Sequence, residues 1–172
     1  FLRLLRRRLP LQELYRIGAN VGSDVNFFLS GASYAFCTGR GEEIVPWEIK
    51  HRYTHYIIFP ELFCSTASVY AAFRHRLTSN FNNVNILYNG LKNKDLPLIE
   101  NGLFNALRAP AQKVLPRLEH VGGALEEMSI RLFNLTGSGS AFFIIKDRSV
   151  PEKKLFHLCR TRAWRVYRAV TF

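Results

Sequence analysis

An α+β fold is what this sequence predicts, and three observations predict it. From Tyr53 onward the apolar residues alternate between β-type runs and helical spacing, in the order β-α-α-β-β-α-β. The segment IRLFNLTGSGSAFFIIKD reads as strand, glycine turn and strand, so neighbouring strands pair antiparallel. At 172 residues, 48% apolar and 22% charged, the chain has globular composition and length enough for a sizeable core. The expected architecture is a sandwich with helices on one face of a mostly antiparallel sheet. A composition shift near His51 divides residues 1–50 from residues 51–172.

The elements follow in order. Leu2, Leu4, Leu5, Leu9, Leu11, Leu14 and Ile17 recur at roughly helical spacing, and Pro10 splits them into two short helices, the second from about Leu11 to Ala19. Ser23 or Asp24 is placed to cap a further helix that Gly31 would stop. ASYAFCTGRGEEIVPW reads as a hairpin turned at Gly39-Arg40-Gly41. YTHYIIFPE is a strand ending at Pro60, and STASVYAAFRHRL a helix capped by Ser65 or Thr66. The Asn-rich SNFNNVNILYNGLKNKDLP reads as a loop with a short helical piece. The helical stretches LIENGLFNALRAPAQKVLPRLEHV and GALEEMS are punctuated by Pro110, Pro116 and Gly122-Gly123. VPEKKLFHLCRTRA is a helix, WRVYRAVTF a closing strand, and Arg160–Arg165 a basic stretch read as a solvated face.

Charge and cysteine usage narrow the function classes. A net charge of +11 and a pI near 10.0 leave two readings, an anionic partner or a solvated basic face. Cys37, Cys64 and Cys159 form no CxxC pair and no Cys/His cluster, so no zinc or other metal site is expected and the thiols read as reduced and cytoplasmic. No apolar run reaches the ~20 residues of a membrane helix. The arginines of FLRLLRRRLP interrupt its apolar residues, against a targeting segment. Beginning with Phe, the chain reads as part of something longer.

Three islands carry candidate chemistry. In GSDVNFFLSG, Asp24 opens a helix between glycines. It is either a cap, or a base that accepts a proton from an attacking hydroxyl. In FPELFCSTASVY, Tyr70 lies four residues after Thr66 and shares its helical face, as a core residue or as a platform for a base. In LTGSGSAFFII, Gly137, Ser138 and Gly139 form either a plain tight turn or a nest of N–H groups suited to phosphate oxygens. No GxxxxGK[ST] is present, which excludes a Walker-type loop.

Taken in order, these islands resemble the GHMP kinase superfamily, and within it the family of 4-diphosphocytidyl-2-C-methylerythritol kinases. LYRIGANVGSDVNFFLSGASYAFCTGRGEEI is similar to that family's catalytic-aspartate segment, FPELFCSTASVYAAF to its substrate-side segment, GLFNALRAPAQKVLPRL to its Asn-Asp-Leu helix, and LTGSGSAFFIIKD to its third glycine motif. The resemblance covers roughly residues 11–147. It implies the tail of a ribosomal-protein-S5-like domain over 1–50 and a ferredoxin-like domain over 51–172. It implies ATP and Mg²⁺ as cofactors, a cytidine-diphosphate substrate phosphorylated on its 2-hydroxyl, and a place in non-mevalonate isoprenoid biosynthesis.

Residue by residue, the resemblance makes Asp24 the general base. Tyr70 becomes the aromatic that stacks on cytosine, Thr66 and Ala67 lining of the same pocket, and Gly137-Ser138-Gly139 the phosphate loop. Asn26 stands where the family has Pro, Ala106 where it has the Asp of Asn-Asp-Leu, and Gly31-Ala32 where it has Gly-Gly. The family's N-terminal half, with its lysine and its Gly-Leu-Gly-Gly-Gly-Ser-Ser loop, has no counterpart here. The chain is therefore expected to need that half as a partner and to be inactive alone, with neither membrane nor nucleic acid as partner. The alternative is a degenerate, non-catalytic homologue that binds nucleotide or RNA.

Overall fold

The structure, a computed structural model, describes residues 9–73 and 81–171. The first helical piece expected from Leu2, Leu4 and Leu5, and the end of the helix expected to run to Leu77, lie outside those residues. The chain divides between Lys50 and His51 into two compact units, each described by itself.

The first unit holds α1 (Leu11–Val21), α2 (Val25–Ser30), β1 (Ala35–Thr38) and β2 (Glu43–Pro46). Pro10 starts α1, its carbonyl accepting from Glu13 and Leu14 N–H. The two helices approach closely at Gly18, where a side chain would overlap the amide of Asn26 and press on Leu29 and Val25. α2 stops at Gly31, whose φ of 67° lies in the left-handed region that glycine tolerates without penalty. The β1–β2 hairpin pairs Ala35 with Pro46 through Thr38 with Glu43.

The second unit carries the core. Among the described residues every buried apolar side chain lies here, from Tyr53 to Cys159. Its sheet runs β4 (Phe133–Leu135), β5 (Phe142–Ile145), β3 (Thr54–Phe59) and β6 (Arg165–Val170) in that spatial order, every pairing antiparallel. Between β3 and β4 come α3 (Thr66–Ala72), α4 (Phe81–Asn93), α5 (Leu96–Gly102), α6 (Arg108–Val114) and α7 (Arg117–Glu127); α8 (Glu152–Thr161) joins β5 to β6. Tyr56 and Ile58 of β3, Phe142 and Ile144 of β5, Leu118 and Leu125 of α7 and Leu155 of α8 pack as one cluster. Each such side chain contributes about 1.5–3 kcal/mol by leaving water.

Two departures from the sequence reading have physical causes. The Asn-rich stretch is a 13-residue helix rather than a loop. Val84, Leu87, Tyr88 and Leu91 fall at i, i+3, i+4 and i+7, and that stripe outweighs the weak propensity of the asparagines. α4 packs on α5 at contacts only glycine allows: a Cβ on Gly102 would lie 2.6 Å from Leu87 N, and one on Gly90 2.7 Å from Ile99 N. Second, α7 runs straight through Gly122-Gly123. Gly122 leaves room for the Arg108 guanidinium, which lies over the Phe133 ring and pairs with Glu126 at 3.1 Å. As expected, the Arg160–Arg165 stretch joins the end of α8 to the start of β6 and its arginines are exposed, Arg165 pairing with Glu61 at the surface.

Candidate functional site

Asp24 sits at the first position before α2, where a carboxylate normally caps. Here it makes no cap hydrogen bond. Its side chain is exposed and faces the hairpin turn instead. A Cβ on Gly41, whose φ is 114°, would lie 3.2 Å from Ser23 O and 3.6 Å from Asp24 Oδ1. Cys37 of β1 is close enough to feel the carboxylate. Its thiol is held above its ordinary value, first by desolvation and second by the charge of Asp24.

The turn that approaches Asp24 is held on both sides. Glu42 accepts from its own N–H and, at 2.6 Å, from Arg40 N–H, and these bonds in that order keep its carboxyl below the usual range. On the other side, Asn26 Nδ2 donates to Glu42 O at 3.0 Å. Sequence reasoning passed over Asn26 as a mere departure. Its side chain is only 2% exposed and it ties α2 to the turn, while its Oδ1 has no partner.

In the second unit the other two islands meet. Ser65 caps α3, accepting from Ser68 N–H at 3.3 Å, so Thr66 is the first helical residue. Thr66 Oγ1 and Ser138 Oγ lie 2.9 Å apart in one hydrogen bond. Cys64 Sγ donates to Ser138 O at 3.3 Å, and Ser140 Oγ to Leu62 O at 2.6 Å. Thr66, Ala67 and Tyr70 are all exposed, Tyr70 at 59%, while Val69 on the opposite side of α3 is fully buried. The aromatic is thus a surface residue and not a core one. Phe63 stands beside the same helix start at 90% exposure.

The glycine turn is open toward solvent on its donor side. Gly137 and Gly139 take φ of 50° and 96°, conformations that side chains disfavour. Gly139 N–H is spent on Thr136 O at 2.9 Å, whereas the N–H groups of Gly137 and Ser138 have no acceptor among the described residues. Asn105, just before α6, fixes the turn from below: Nδ2 donates to Leu135 O at 2.9 Å and Gly137 O at 2.8 Å, and Oδ1 accepts from Leu107 N–H at 2.9 Å. Asn105 is a site residue that the sequence reading did not single out. Its signal was present in the stretch FNALRAP, as an Asn directly ahead of a helix. The outcome is an exposed face of hydroxyls, two free N–H groups and an aromatic ring, suited to an anionic ligand carrying a planar group.

Metal ligands are another matter. Among the described residues no group of three or more His, Cys, Asp or Glu gathers to hold a cation. Asp24 alone does not make a Mg²⁺ site, which needs several oxygens around the ion.

Comparison with known proteins sets this geometry in context. No family model matches the chain. It is 27% identical over 157 residues to a 4-diphosphocytidyl-2-C-methyl-D-erythritol kinase of Desulfotalea psychrophila, covering 91% of this chain and 52% of the relative. It is 32% identical over 140 residues to the enzyme of that name from Protochlamydia amoebophila, covering 81% and 45%. A crystal structure of a 4-(cytidine 5'-diphospho)-2C-methyl-D-erythritol kinase superposes with a TM-score of 0.68 at 27% identity, over 91% of this chain and 56% of that one. The chain belongs to this kinase family. It spans about half the length of the curated relatives it matches. The fold is shared more widely: homoserine kinase from Cytophaga hutchinsonii superposes with a TM-score of 0.71 at 15% identity, over 99% of this chain and 60% of that one. Like both kinases, the chain is α+β with antiparallel sheets. No helix among the described residues is long and apolar enough to cross a membrane.

Proposed function

We propose that this chain is part of an ATP-dependent kinase that phosphorylates the 2-hydroxyl of 4-diphosphocytidyl-2-C-methylerythritol, a step of non-mevalonate isoprenoid biosynthesis. The observation that carries this reading is the junction of the α3 start and the glycine turn, where Thr66 and Ser138 share a hydrogen bond of 2.9 Å. Phosphate-facing donors and a ring platform then occur together, in a chain related to kinases of that substrate. In structural terms the two units are the end of an S5-like domain and a ferredoxin-like domain.

Each residue has a role that its surroundings support. Asp24, exposed and free of any cap bond, accepts the proton of the attacking hydroxyl. The N–H groups of Gly137 and Ser138, with the hydroxyls of Ser138 and Thr66, hold phosphate oxygens. Tyr70 stacks on the cytosine ring, and Ala67, one turn away, leaves room beside it. ATP supplies the transferred phosphoryl group. The residues for its own loop, and the ligands of any Mg²⁺, are assigned to the family's remaining length. Phosphoryl transfer rests on positioning and charge neutralisation, so the 172 residues alone are expected not to turn over.

The test is Asp24→Asn in a protein completed to the family's full length, read by coupled ADP release and by nucleotide binding. Activity is expected to fall by at least about a hundredfold, with nucleotide affinity unchanged. Activity within a few-fold of the parent would remove Asp24 from the chemistry. Turnover by the isolated 172-residue chain would overturn its dependence on a further half.

A further inference from the structure

At the end of the sheet opposite the glycine turn, the second unit carries another concave surface. β5 starts two residues after Ser140 and runs away from the turn, so Lys146 lies six residues on, about 20 Å of extended chain. β3 is antiparallel to β5 and brings Thr54 to the same end, where Lys146 N–H donates to Thr54 O at 2.8 Å. Two open pockets flank the Lys146–Ser149 connection. One, of about 600 Å³, is lined by Lys146, Arg148, Lys153 and Lys154 with Asp147 and Glu152. The other, of about 660 Å³, is lined by Arg52, Lys94, Lys146 and Arg148 around Tyr53 and Leu96.

The charges here do not cancel. Glu152 is occupied: it pairs with Lys146 and accepts from Tyr56 Oη at 2.6 Å. Asp147 Oδ1 accepts from Ser149 N–H at 2.8 Å and Ser149 Oγ at 2.7 Å. Arg52, Lys94, Arg148, Lys153 and Lys154 make no ion pair among the described residues. Five cations therefore share one end of a small unit, against two acids without a cationic partner, Asp147 and the α5 cap Asp95. Lys94 ends α4 at φ 56°, where Asp95 N–H bonds back to Gly90 O at 2.9 Å.

We propose that these pockets form a second binding site, for a small, multiply charged anion of the phosphate class. The cations line two open, shallow pockets on both sides of one short connection, a compact cluster that suits an oligophosphate. A nucleic-acid strand needs instead a stripe that follows its backbone. Arg148 belongs to both pockets and is the residue on which the site turns. The site is independent of the kinase reading, because none of its lining residues belongs to the glycine turn or α3.

The probe is inorganic tripolyphosphate, titrated into the 172-residue chain and followed by calorimetry and by amide chemical shifts. Saturable 1:1 binding is expected, with shifts at Arg52, Lys94 and Lys146–Lys154. Arg148→Glu is expected to weaken it at least about tenfold, and the milder Arg148→Gln to do so in part. A control reversal at Lys113 on α6 is expected to leave it intact. Lys94→Gly separates binding from folding, since it relieves the backbone and removes the charge. It is expected to raise the urea midpoint while lowering affinity. Shifts confined to Gly137–Gly139, affinity unchanged by Arg148→Glu, or tighter binding of a single-stranded oligonucleotide than of tripolyphosphate would each overturn the proposal.

Discussion

Asn105→Ala tests whether one amide holds the glycine turn in shape. The wild-type side chain makes three hydrogen bonds, to Leu135 O, Gly137 O and Leu107 N–H. A net bond contributes about 0.5–1.5 kcal/mol. The Gly137 carbonyl is solvent-exposed and recovers a water, whereas Leu135 is 2% exposed and its carbonyl does not. A loss of about 2–3 kcal/mol is therefore expected from urea unfolding of the second unit. Asn105→Asp sharpens the test. The new carboxylate keeps the bond from Leu107 N–H but sets a charged oxygen against two carbonyls, which raises its folded pKa above the ordinary ~3.9. The extra penalty is thus absent below the unfolded pKa and complete above the folded one. At pH 7 the Asp variant is expected to be less stable than the Ala variant, and the gap to close as the pH falls toward 4. An Ala variant within ~0.5 kcal/mol of wild type, or an Asp variant as stable as Ala at pH 7, would refute the clamp.

Two further outcomes follow from the packing. Gly123→Ala, with nothing within 4 Å of the new methyl, is expected to stabilise α7 by about 0.5–1 kcal/mol. Gly102→Ala, driven into the backbone of Leu87, is expected to cost about 1–3 kcal/mol; equal urea midpoints for the pair would discredit the α4–α5 crossing. Cys159 is buried and its thiol is pushed up to about 11. Its folded pKa lies above the unfolded value, so stability is complete below about 9 and lost as pH rises toward 11. Cys159→Ala is expected to flatten that alkaline decline, and identical pH profiles for the two proteins would contradict it.

The sequence made some of this legible and hid the rest for identifiable reasons. Strand runs bounded by Pro60 and by the TGSGS turn stand out because their period is short and their punctuation strong. The helix start at Asp24 is equally plain, but a propensity does not say whether the carboxylate turns in to cap or out to solvent. Only the geometry of the Gly41 turn separates those. α4 was obscured because its asparagines argue against a helix residue by residue, and the stripe from Val84 to Leu91 has meaning only once α5 lies under it. Likewise the Gly122-Gly123 pair signals a break until Arg108 is seen occupying the space. Tyr70 illustrates a limit of spacing: position i+4 from Thr66 gives a shared face, and burial of Val69 decides which face is outward.

The placement of β3 has a consequence for how the protein is made. It is the earliest strand of its unit to leave the ribosome, yet it lies inside the sheet, between β5 and β6. Its neighbour β5 begins at Phe142, 83 residues after β3 ends at Phe59 (142 − 59), and β6 comes later still. At ordinary translation rates of about 5–20 residues per second, THYIIF spends roughly 4–17 s with neither neighbour synthesised. Such a run, apolar and β-branched, is a sticky edge while it waits. Faster elongation, or a holdase that shields the nascent strand, is expected to raise the cellular yield of this protein.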